Sequence, residues 1–375
     1  MDAEKRLLEA NGYTVVQFVC DSGALDTMKL SKKAATFLQI PYNFRTARTL
    51  EKFVSEHKPD LAHVHNVFPM LSPSVYGALS RKAIPVVQTI HNYRFLCPNG
   101  LFYVNGKICE ACQENGYWEA IKNRCMHGSL ATSALYAAAV AWGWRNGTFP
   151  SGIDRYIALN AFVAGKLVAA GLPEGKIRIC GNFVSDFADT TTTKERYALY
   201  LGRLSSEKGL ATLLNAARSV PELPIRIAGT GPLEDDLRCA IGEPGMDHIT
   251  LVGHVAGEAK LCLVAKALCT VVPSEWYENF PLSVVESLAL GTPVIASCIG
   301  GLPDLIEHGH TGLLFPAGDS DALAECLRWM IRHESSIDQM AVNALCVARN
   351  RFSPERHLEQ LLSIYTDLAA GGRVA

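Results

Sequence analysis

Short apolar runs alternate with segments of helical periodicity along most of the chain. In the second half, a helix-length interval separates each run from the next. Strands that alternate with helices in this way form parallel, doubly wound sheets. The pattern therefore predicts an α/β fold, with second-half strands near residues 197–202, 224–228, 249–252, 268–272 and 293–297.

The first half has its own strand series, and the chain is long enough for two domains. The 375 residues, at ~150 per domain, suggest two units. Because Asp186–Thr193 breaks the periodic pattern, we expect one Rossmann-like domain over residues 1–188 and a second over residues 194–350. The apolar runs of the first half predict strands near residues 14–19, 61–65, 86–90 and 156–159.

Charged residues and glycines follow the predicted strands of the second half. Arg203 and Lys208 come after its first strand, and Gly229 and Gly231 form a tight turn after the second. Glycines there let the backbone approach a ligand closely. Because ligands of parallel sheets bind beyond the carboxyl ends of the strands, this edge suits a phosphorylated, hydroxyl-rich ligand.

Two glutamates lie on either side of a predicted helix start. Glu278 stands before the helix, Pro281 suits its first turn, and Glu286 lies about a turn and a half inside it. A helix start favours anions, so the glutamates can bracket a ligand whose phosphate faces that start. Each feature alone is more often a solvated charge or an ordinary turn, and it is their joint order that points to a site.

In this order the residues strongly resemble the retaining glycosyltransferases of family 4, which have the GT-B architecture and use nucleotide-diphosphate sugars. The resemblance covers about residues 2–352 and is more specific in the C-terminal half. It implies a cleft between two Rossmann-like domains and a last helix, over residues 351–375, that crosses back to the N-terminal domain. The matching motifs are Gly202-Arg203, Glu207-Lys208-Gly209, Gly229-x-Gly231, Glu278 with Glu286, Gly300-Gly301-Leu-Pro-Asp-Leu-Ile and Gly309-x-Thr-Gly-Leu-Leu-Phe.

The resemblance implies a role for each matching residue. Arg203 and Lys208 would neutralise the donor diphosphate, and Glu286 would bind the ribose hydroxyls. Glu278, with the backbone after it, would face the donor sugar or stabilise the reacting centre. The other donor-binding positions are Gly229 and Gly231, then His254 and Val255 around the base, and Asn279, Phe280, Pro281 and Leu282 after Glu278.

The same comparison implies the reaction. Anomeric configuration is retained by front-face attack, in which the departing phosphate helps to take the acceptor proton. Transfer requires no metal cofactor, because Arg203, Lys208 and the helix start after Phe280 supply the positive charge. The substrates would be a nucleotide-sugar donor and a glycan or lipid-linked acceptor, as in cell-surface polysaccharide or glycoconjugate biosynthesis.

A histidine in the first half also matches a family position. His91 corresponds to a histidine of the cleft, where it would orient substrate or help proton transfer. A purely structural histidine is the alternative. Asn92 follows it where the family usually has Asp.

The beginning of the chain departs from the family pattern. Family members usually start with an apolar strand and a glycine-rich turn, whereas this chain starts inside the helix predicted at Ala3–Asn11. We expect a truncated or a degenerate family member. Two other functions stay open: a nucleotide-sugar epimerase of the same fold, which needs no acceptor, and a non-catalytic nucleotide-sugar-binding protein.

The 12 cysteines favour a reducing cytoplasm in which most of them are small core residues. Four are different, because they lie within 29 residues of one another. A Cys-x-x-Cys pair flanked by two more thiols, with a nearby histidine, can form a structural zinc site or a redox cluster, and free thiols beneath a loop are an equal alternative. The residues concerned are Cys97, Cys109, Cys112, Cys125 and His127.

Charge differs between the two halves. Residues 1–190 carry 20 Lys and Arg against 15 Asp and Glu, whereas residues 191–375 carry 15 against 22. A basic first half suits peripheral contact with the cytoplasmic membrane face, and a chance surface imbalance is the alternative.

The apolar segment Ser129–Trp144 has 16 residues, fewer than the ~20 that span a bilayer, so we expect a core or surface helix. The sequence contains no basic tract of the kind that binds nucleic acids, so we expect no nucleic acid partner.

Overall fold

Parallel strands joined by helices make up both halves of the chain, which confirms the predicted α/β class. The computed structural model describes residues 1–20, 36–188 and 192–371. The described residues divide into two units. The first contains residues 1–104, 109–180 and the last helix from Leu358 onward, and the second contains residues 105–108 and 181–357.

The first unit contains a parallel sheet of strand order β1-β2-β5-β6. Its central strand β2 is buried along its whole length, as expected for a parallel strand covered on both faces. Leu8 and Leu361, from the first and last helices, share one core cluster with Val87 and Ile157 of the sheet. The strands are β1 (Ala62–Val64), β2 (Val86–Ile90), β5 (Arg155–Ala158) and β6 (Ile177–Ile179), and the chain also forms the short strands β3 (Tyr103–Val104) and β4 (Lys107–Ile108).

Polar side chains begin several helices of this unit. Asn43 accepts a hydrogen bond from the Thr46 backbone N–H at 3.0 Å, and Asn160 accepts one from Val163 at 2.9 Å. Such caps satisfy backbone donors that have no partner inside the helix. The helices are α1 (Asp2–Ala10), α2 (Phe44–His57), α3 (Ser74–Arg81), α4 (Ala111–Asn115), α5 (Trp118–Lys122), α6 (Leu130–Arg145), α7 (Thr148–Gly152) and α8 (Ala161–Ala169).

The prediction of a strand at residues 14–19 is wrong. This segment is described and is not a strand, although the strands predicted near residues 61–65, 86–90 and 156–159 are confirmed. A strand requires hydrogen bonds to a neighbouring strand, and no described strand pairs with this segment. Val16 and Val19 are instead exposed.

The second unit contains a parallel sheet of order β12-β11-β10-β7-β8-β9. The chain runs outward from β7 through β8 to β9, then returns to the other side of β7 with β10. Strand order therefore reverses between β7 and β10, and such a switch point opens a crevice at the carboxyl edge of the sheet. The strands are β7 (Glu195–Leu201), β8 (Ile225–Ala228), β9 (Ile249–Gly253), β10 (Ala267–Val272), β11 (Val294–Ser297) and β12 (Gly312–Phe315).

The helices of the second unit follow the predicted alternation. The helix predicted after Glu278 begins at Leu282, one residue later than expected, with Pro281 as its N-cap. The helices are α9 (Leu210–Arg218), α10 (Glu234–Ile241), α11 (Gly257–Lys266), α12 (Leu282–Ala289), α13 (Leu302–Leu305), α14 (Ser320–Arg332), α15 (Glu334–Phe352) and α16 (Pro354–Gly371), the last of which contributes to the first unit from Leu358.

Two further expectations concern burial. The apolar segment Ser129–Trp144 folds as α6, which buries Tyr136 and Val140 and exposes Trp142. Among the described helices, none is both long and apolar enough to cross a bilayer.

The expectation that most cysteines lie in the core is wrong, because several stand on the outer faces of helices or in loops. Those exposed are Cys20, Cys239, Cys262, Cys298 and Cys346.

Candidate functional site

Lys208 and Glu278 meet at the switch point of the second sheet. Lys208 follows β7 and Glu278 follows β10, and the Lys208 Nζ lies 2.7 Å from Glu278 Oε1. Ser274 Oγ donates to the same oxygen at 2.6 Å. The Glu278 side chain is only 4% exposed, whereas that of Lys208 is 22% exposed. The partners of this buried carboxylate thus include a partly accessible cation and a hydroxyl.

Glycines bring the backbone after β7 and β10 into close contact. Gly209 has φ +69°, and a Cβ there would lie 1.8 Å from the Pro273 carbonyl oxygen. Gly300 has φ +59°, and its Cβ would lie 2.7 Å from the Glu278 backbone N and O. The Gly301 N–H donates to the Glu278 carbonyl at 2.7 Å. These contacts fix the backbone of Glu278 relative to Lys208.

The predicted glycine turn after β8 also packs against backbone. A Cβ on Gly229 would lie 1.8 Å from the Gly202 carbonyl oxygen, and one on Gly231 would lie 2.3 Å from that of Leu204. The glycines are therefore required by the fold, and close approach to a ligand stays a prediction for both.

Arg203 lies beside this turn with its side chain in solvent. Its carbonyl oxygen accepts a hydrogen bond from the Tyr200 hydroxyl at 2.7 Å, which fixes the backbone. Arg203 is exposed, and within residues 1–20, 36–188 and 192–371 no carboxylate forms an ion pair with it. Its guanidinium is thus available to a ligand phosphate.

Glu286 has a partner that the sequence did not indicate. Its Oε1 accepts a hydrogen bond from Lys260 Nζ of α11 at 2.7 Å, and both side chains are about one-quarter exposed. Before α11, His254 is exposed and Val255 packs against the core cluster around Tyr197. The predicted ribose residue, Glu286, therefore contacts α11, the helix that follows the two predicted base residues.

The remaining predicted donor-binding residues lie in the loop before α12 and at its start. Asn279 and Phe280 are buried, Pro281 is half-buried and Leu282 is exposed. The phenyl ring of Phe280 packs against Phe352 with 5.8 Å between ring centroids. The side chains of Asn279 and Phe280 thus belong to the core, and donor binding at the helix start that follows stays a prediction.

In the first unit, His91 belongs to a histidine cluster. Its Nε2 lies 2.8 Å from Nδ1 of His65, and the two rings stack. Both line a small pocket together with Asn66, Asn92 and Arg94. Asn92 donates to Asn66 Oδ1 at 3.0 Å and accepts from the Arg94 backbone N–H, so it does not act on His91 as a carboxylate would.

Burial keeps both of these imidazoles neutral. It lowers the pKa of His91 to about 4 and, with the nearby His63 acting in the same direction, lowers that of His65 to about 2. A neutral imidazole offers one donor and one acceptor nitrogen. His91 can accordingly accept or donate a hydrogen bond to a ligand hydroxyl near neutral pH.

The Cys-rich segment forms a group of free thiols. Burial, and then the neighbouring thiols, raises the pKa of Cys112 to about 12 and that of Cys125 to about 11. In the part of the chain that the structure describes, no three of the predicted metal-ligand sulfurs lie within 4.8 Å of one another. Zinc at Cys97, Cys109, Cys112 and Cys125 stays a prediction.

Several residues that contact the predicted site residues were not predicted from the sequence. Ser274 and Lys260 carry no motif, since only the fold brings them to Glu278 and Glu286. His63 and His65 did carry a signal. His63 lies on β1 and His65 directly after its end, and residues two positions apart along an extended chain point to the same face of the sheet.

Comparison with known families divides the chain into two matches. A family model described as Glycosyltransferase Family 4 matches residues 5–186, and one described as Glycosyl transferases group 1 matches residues 184–345. Together they follow nearly the whole described chain without a gap between them.

Individual proteins of similar sequence are also glycosyltransferases by name. The alpha-D-kanosaminyltransferase of Streptomyces kanamyceticus is 28% identical over 218 residues, which are 53% of this chain and 56% of the relative. The amylovoran biosynthesis glycosyltransferase AmsK of Erwinia amylovora is 29% identical over 221 residues, 54% of each chain. This chain thus spans about half the length of these curated relatives. Anabaena Alr3699/HepE, solved in complex with UDP, superposes with a TM-score of 0.66 at 19% identity, over 86% of this chain and 82% of that one, and so shares the fold.

Proposed function

The chain belongs to the family 4 type of GT-B glycosyltransferases, and from that membership we propose that it moves a hexose-type sugar from a nucleotide-diphosphate donor to a glycan or lipid-linked acceptor, with retention of anomeric configuration. The pairing of Lys208 with Glu278 at the switch point carries the proposal. It places a partly accessible cation and a buried carboxylate where an α/β sheet takes its ligand. Such a pair suits a ligand that is anionic at one group and rich in hydroxyls at the next.

The diphosphate is the part of the donor that these cations would hold. Lys208 is a compact point charge and Arg203 a planar donor with an open guanidinium, so together they can neutralise several phosphate oxygens. The start of α12 adds backbone N–H groups and a partial positive charge. As the bond from the anomeric carbon to the diphosphate oxygen breaks, negative charge builds on that oxygen, and these groups stabilise it.

The glutamates would bind the neutral parts of the donor. Glu286 lies on the second turn of α12 and would accept hydrogen bonds from the ribose hydroxyls, in exchange for part of its contact with Lys260. Glu278 would hold the sugar hydroxyls, because its backbone is clamped by Gly300 and Gly301. His254 and Val255 would contact the base.

The acceptor hydroxyl attacks the anomeric carbon from the face that the diphosphate leaves. A new bond forms between the acceptor oxygen and the anomeric carbon, and the acceptor proton passes to the departing phosphate oxygen, so no enzyme nucleophile is required. His91, neutral near pH 7, would orient a substrate hydroxyl. We propose that this reaction takes place in the cytoplasm. A role in polysaccharide or glycoconjugate assembly is supported by the name of the amylovoran biosynthesis relative.

A binding and turnover experiment tests this function. Calorimetry with UDP, GDP and ADP should find one nucleoside diphosphate that binds at least tenfold more tightly than the other two. The matching nucleotide sugars are then incubated with the protein and followed by proton NMR. Slow release of the free sugar as its original anomer, or transfer with that anomer, is the expected result.

The two alternative functions would give different results in the same experiment. An epimerase converts the donor sugar into its epimer without an acceptor, and a non-catalytic protein binds the donor and leaves it unchanged. Absence of binding by all three diphosphates would overturn the donor site itself. An inverted product anomer would overturn retention while leaving the donor site intact.

A further inference from the structure

Three side chains of the first unit converge in a group that the transfer reaction does not use. Glu4 Oε1 lies 2.9 Å from His63 Nδ1 and 3.8 Å from His65 Nε2. The ligand atoms of Glu4, His63 and His65 all lie within 4.8 Å of one another. Three side chains that each offer one ligand atom to a common point are the minimum for a protein metal site of this type.

The fold explains why these atoms meet. His63 and His65 are two positions apart on and just after β1, so both rings leave the same face of the sheet. α1 packs on that sheet through Leu8, and Glu4 lies one helical turn before Leu8 on the same side. The three side chains are 10–15% exposed, so they are largely shielded from bulk water.

The outer ring nitrogens have partners of their own. His63 Nε2 lies 2.7 Å from Thr89 Oγ1, and His65 Nδ1 lies 2.8 Å from His91 Nε2. Metal-ligating histidines characteristically use their second nitrogen in this way, which orients the ring and fixes the tautomer. The nitrogens that face Glu4 are His65 Nε2 and His63 Nδ1, and the latter also contacts the Tyr365 hydroxyl.

We propose that Glu4, His63 and His65 bind one divalent transition-metal ion of the zinc class. Two imidazole nitrogens and one carboxylate oxygen suit zinc, cobalt or nickel and disfavour magnesium, which prefers oxygen ligands and ideal octahedral geometry. The Tyr365 hydroxyl, 2.7 Å from His63 Nδ1, stands beside the position that a fourth ligand would take. The ion would tie α1 to the sheet, and its ligands are different residues from those of the proposed donor site, although His65 contacts His91.

Metal titration of the whole chain tests the site. Protein stripped with a chelator is titrated with Zn²⁺ and, separately, with Co²⁺, and its thermal unfolding is recorded with and without each ion. We expect one equivalent bound at this site and a higher unfolding temperature, because an ion that binds only the folded state stabilises it. Mg²⁺ at the same concentration should have no effect.

Variants separate this site from the thiol group. Glu4→Gln and His63→Gln should each weaken Zn²⁺ binding at least tenfold, whereas Glu9→Gln, on the same helix but outside the cluster, should leave it unchanged. Thr89→Val keeps all three ligands and should still weaken binding by about 10–100-fold, because it removes the contact that orients His63. This variant keeps the test valid if Glu4→Gln fails to fold.

The spectrum of bound Co²⁺ decides between the two ligand sets. Nitrogen and oxygen ligands give visible d–d bands without the intense near-ultraviolet charge transfer of a cobalt thiolate. Binding that persists in Glu4→Gln, His63→Gln and Thr89→Val, or that carries the thiolate band alone, would overturn the proposal and assign the ion to the cysteines. No binding of either ion to the parent chain would overturn it as well.

Discussion

Lys208 Nζ and Glu278 Oε1 lie 2.7 Å apart although 70 residues separate them in the sequence. The contact exists because β7 and β10 are neighbours at the point where strand order reverses. Ser274 supplies the second hydrogen bond to the same carboxylate oxygen. The Glu278 side chain is nearly inaccessible, so its carboxylate depends on Lys208 for a neighbouring positive charge.

This dependence predicts strong coupling between the two positions. Lys208→Met should destabilise the second unit by roughly 2–4 kcal/mol, because it leaves a buried carboxylate without its cation. Adding Glu278→Gln should recover about half of that loss, since the remaining amide is neutral. Urea unfolding followed by the fluorescence of Trp276, whose ring centroid lies 5.0 Å from Lys208 Nζ, measures both effects. Simple additivity of the two single changes would contradict the coupling.

Arg203 should act on phosphate alone. Arg203→Ala should weaken binding of the preferred nucleoside diphosphate by about 10–100-fold, in line with the ~1.5–3 kcal/mol of a charged hydrogen bond, and should leave binding of the free nucleoside unchanged. Arg218→Ala is the matched control, because Arg218 is also exposed but pairs with Glu243 at the far end of α9. An equal loss of affinity for nucleotide and nucleoside would reject the phosphate role.

The strands β7 to β11 of the second unit could be predicted from the sequence because each is an apolar run bounded by a turn, whereas β12 was not predicted. The segment at residues 14–19 is an exception. Its apolar residues fit a strand, but no described strand pairs with it. Motif residues such as Lys208 and Glu278 could be placed at strand ends. Their direct contact could not, because it depends on strand order, which periodicity does not encode.

The structure also adds reasons for residue types that periodicity does not indicate. Gly229 is predicted to make room for a ligand, and its backbone packing against Gly202 is a second reason for a glycine at this position. Contacts of long range, such as Lys260 with Glu286 or Glu4 with His63, join helices and strands whose relative positions follow only from the folded sheet.

Gly229 allows a direct test of that packing. Gly229→Ala should destabilise the second unit by more than about 2 kcal/mol, because φ is +143° and the new Cβ would overlap the Gly202 carbonyl oxygen. Gly242→Ala is the control, because its Cβ would meet only ordinary contacts at 3.4 Å and beyond. Chemical denaturation compares the two, and equal stability of both variants would show that the turn after β8 relaxes.

Lys194 predicts a pH dependence. Burial lowers its pKa from 10.5 to about 8, while its Nζ donates to the Ala265 carbonyl and to Thr292 Oγ1. Between these two pH values the unfolded chain holds a proton that the folded chain has released, so stability rises with pH. Relative to Lys194→Met, the parent chain should gain stability as pH increases from about 8 to 10.5 and should keep a constant difference below that range. Urea midpoints measured in parallel test this, and a constant difference throughout would contradict it.

Glu286 and Lys260 together test the ribose assignment. Glu286→Gln should lower affinity for the preferred ribonucleotide about tenfold and reduce its advantage over the 2′-deoxy or 3′-deoxy analogue, because the carboxylate is the stronger acceptor for ribose hydroxyls. Lys260→Met breaks the same 2.7 Å ion pair but leaves the carboxylate in place. It should therefore preserve the discrimination between ribose and deoxyribose. Calorimetry on the three proteins decides the matter: if both variants lose discrimination equally, Glu286 serves the ion pair and not the ligand.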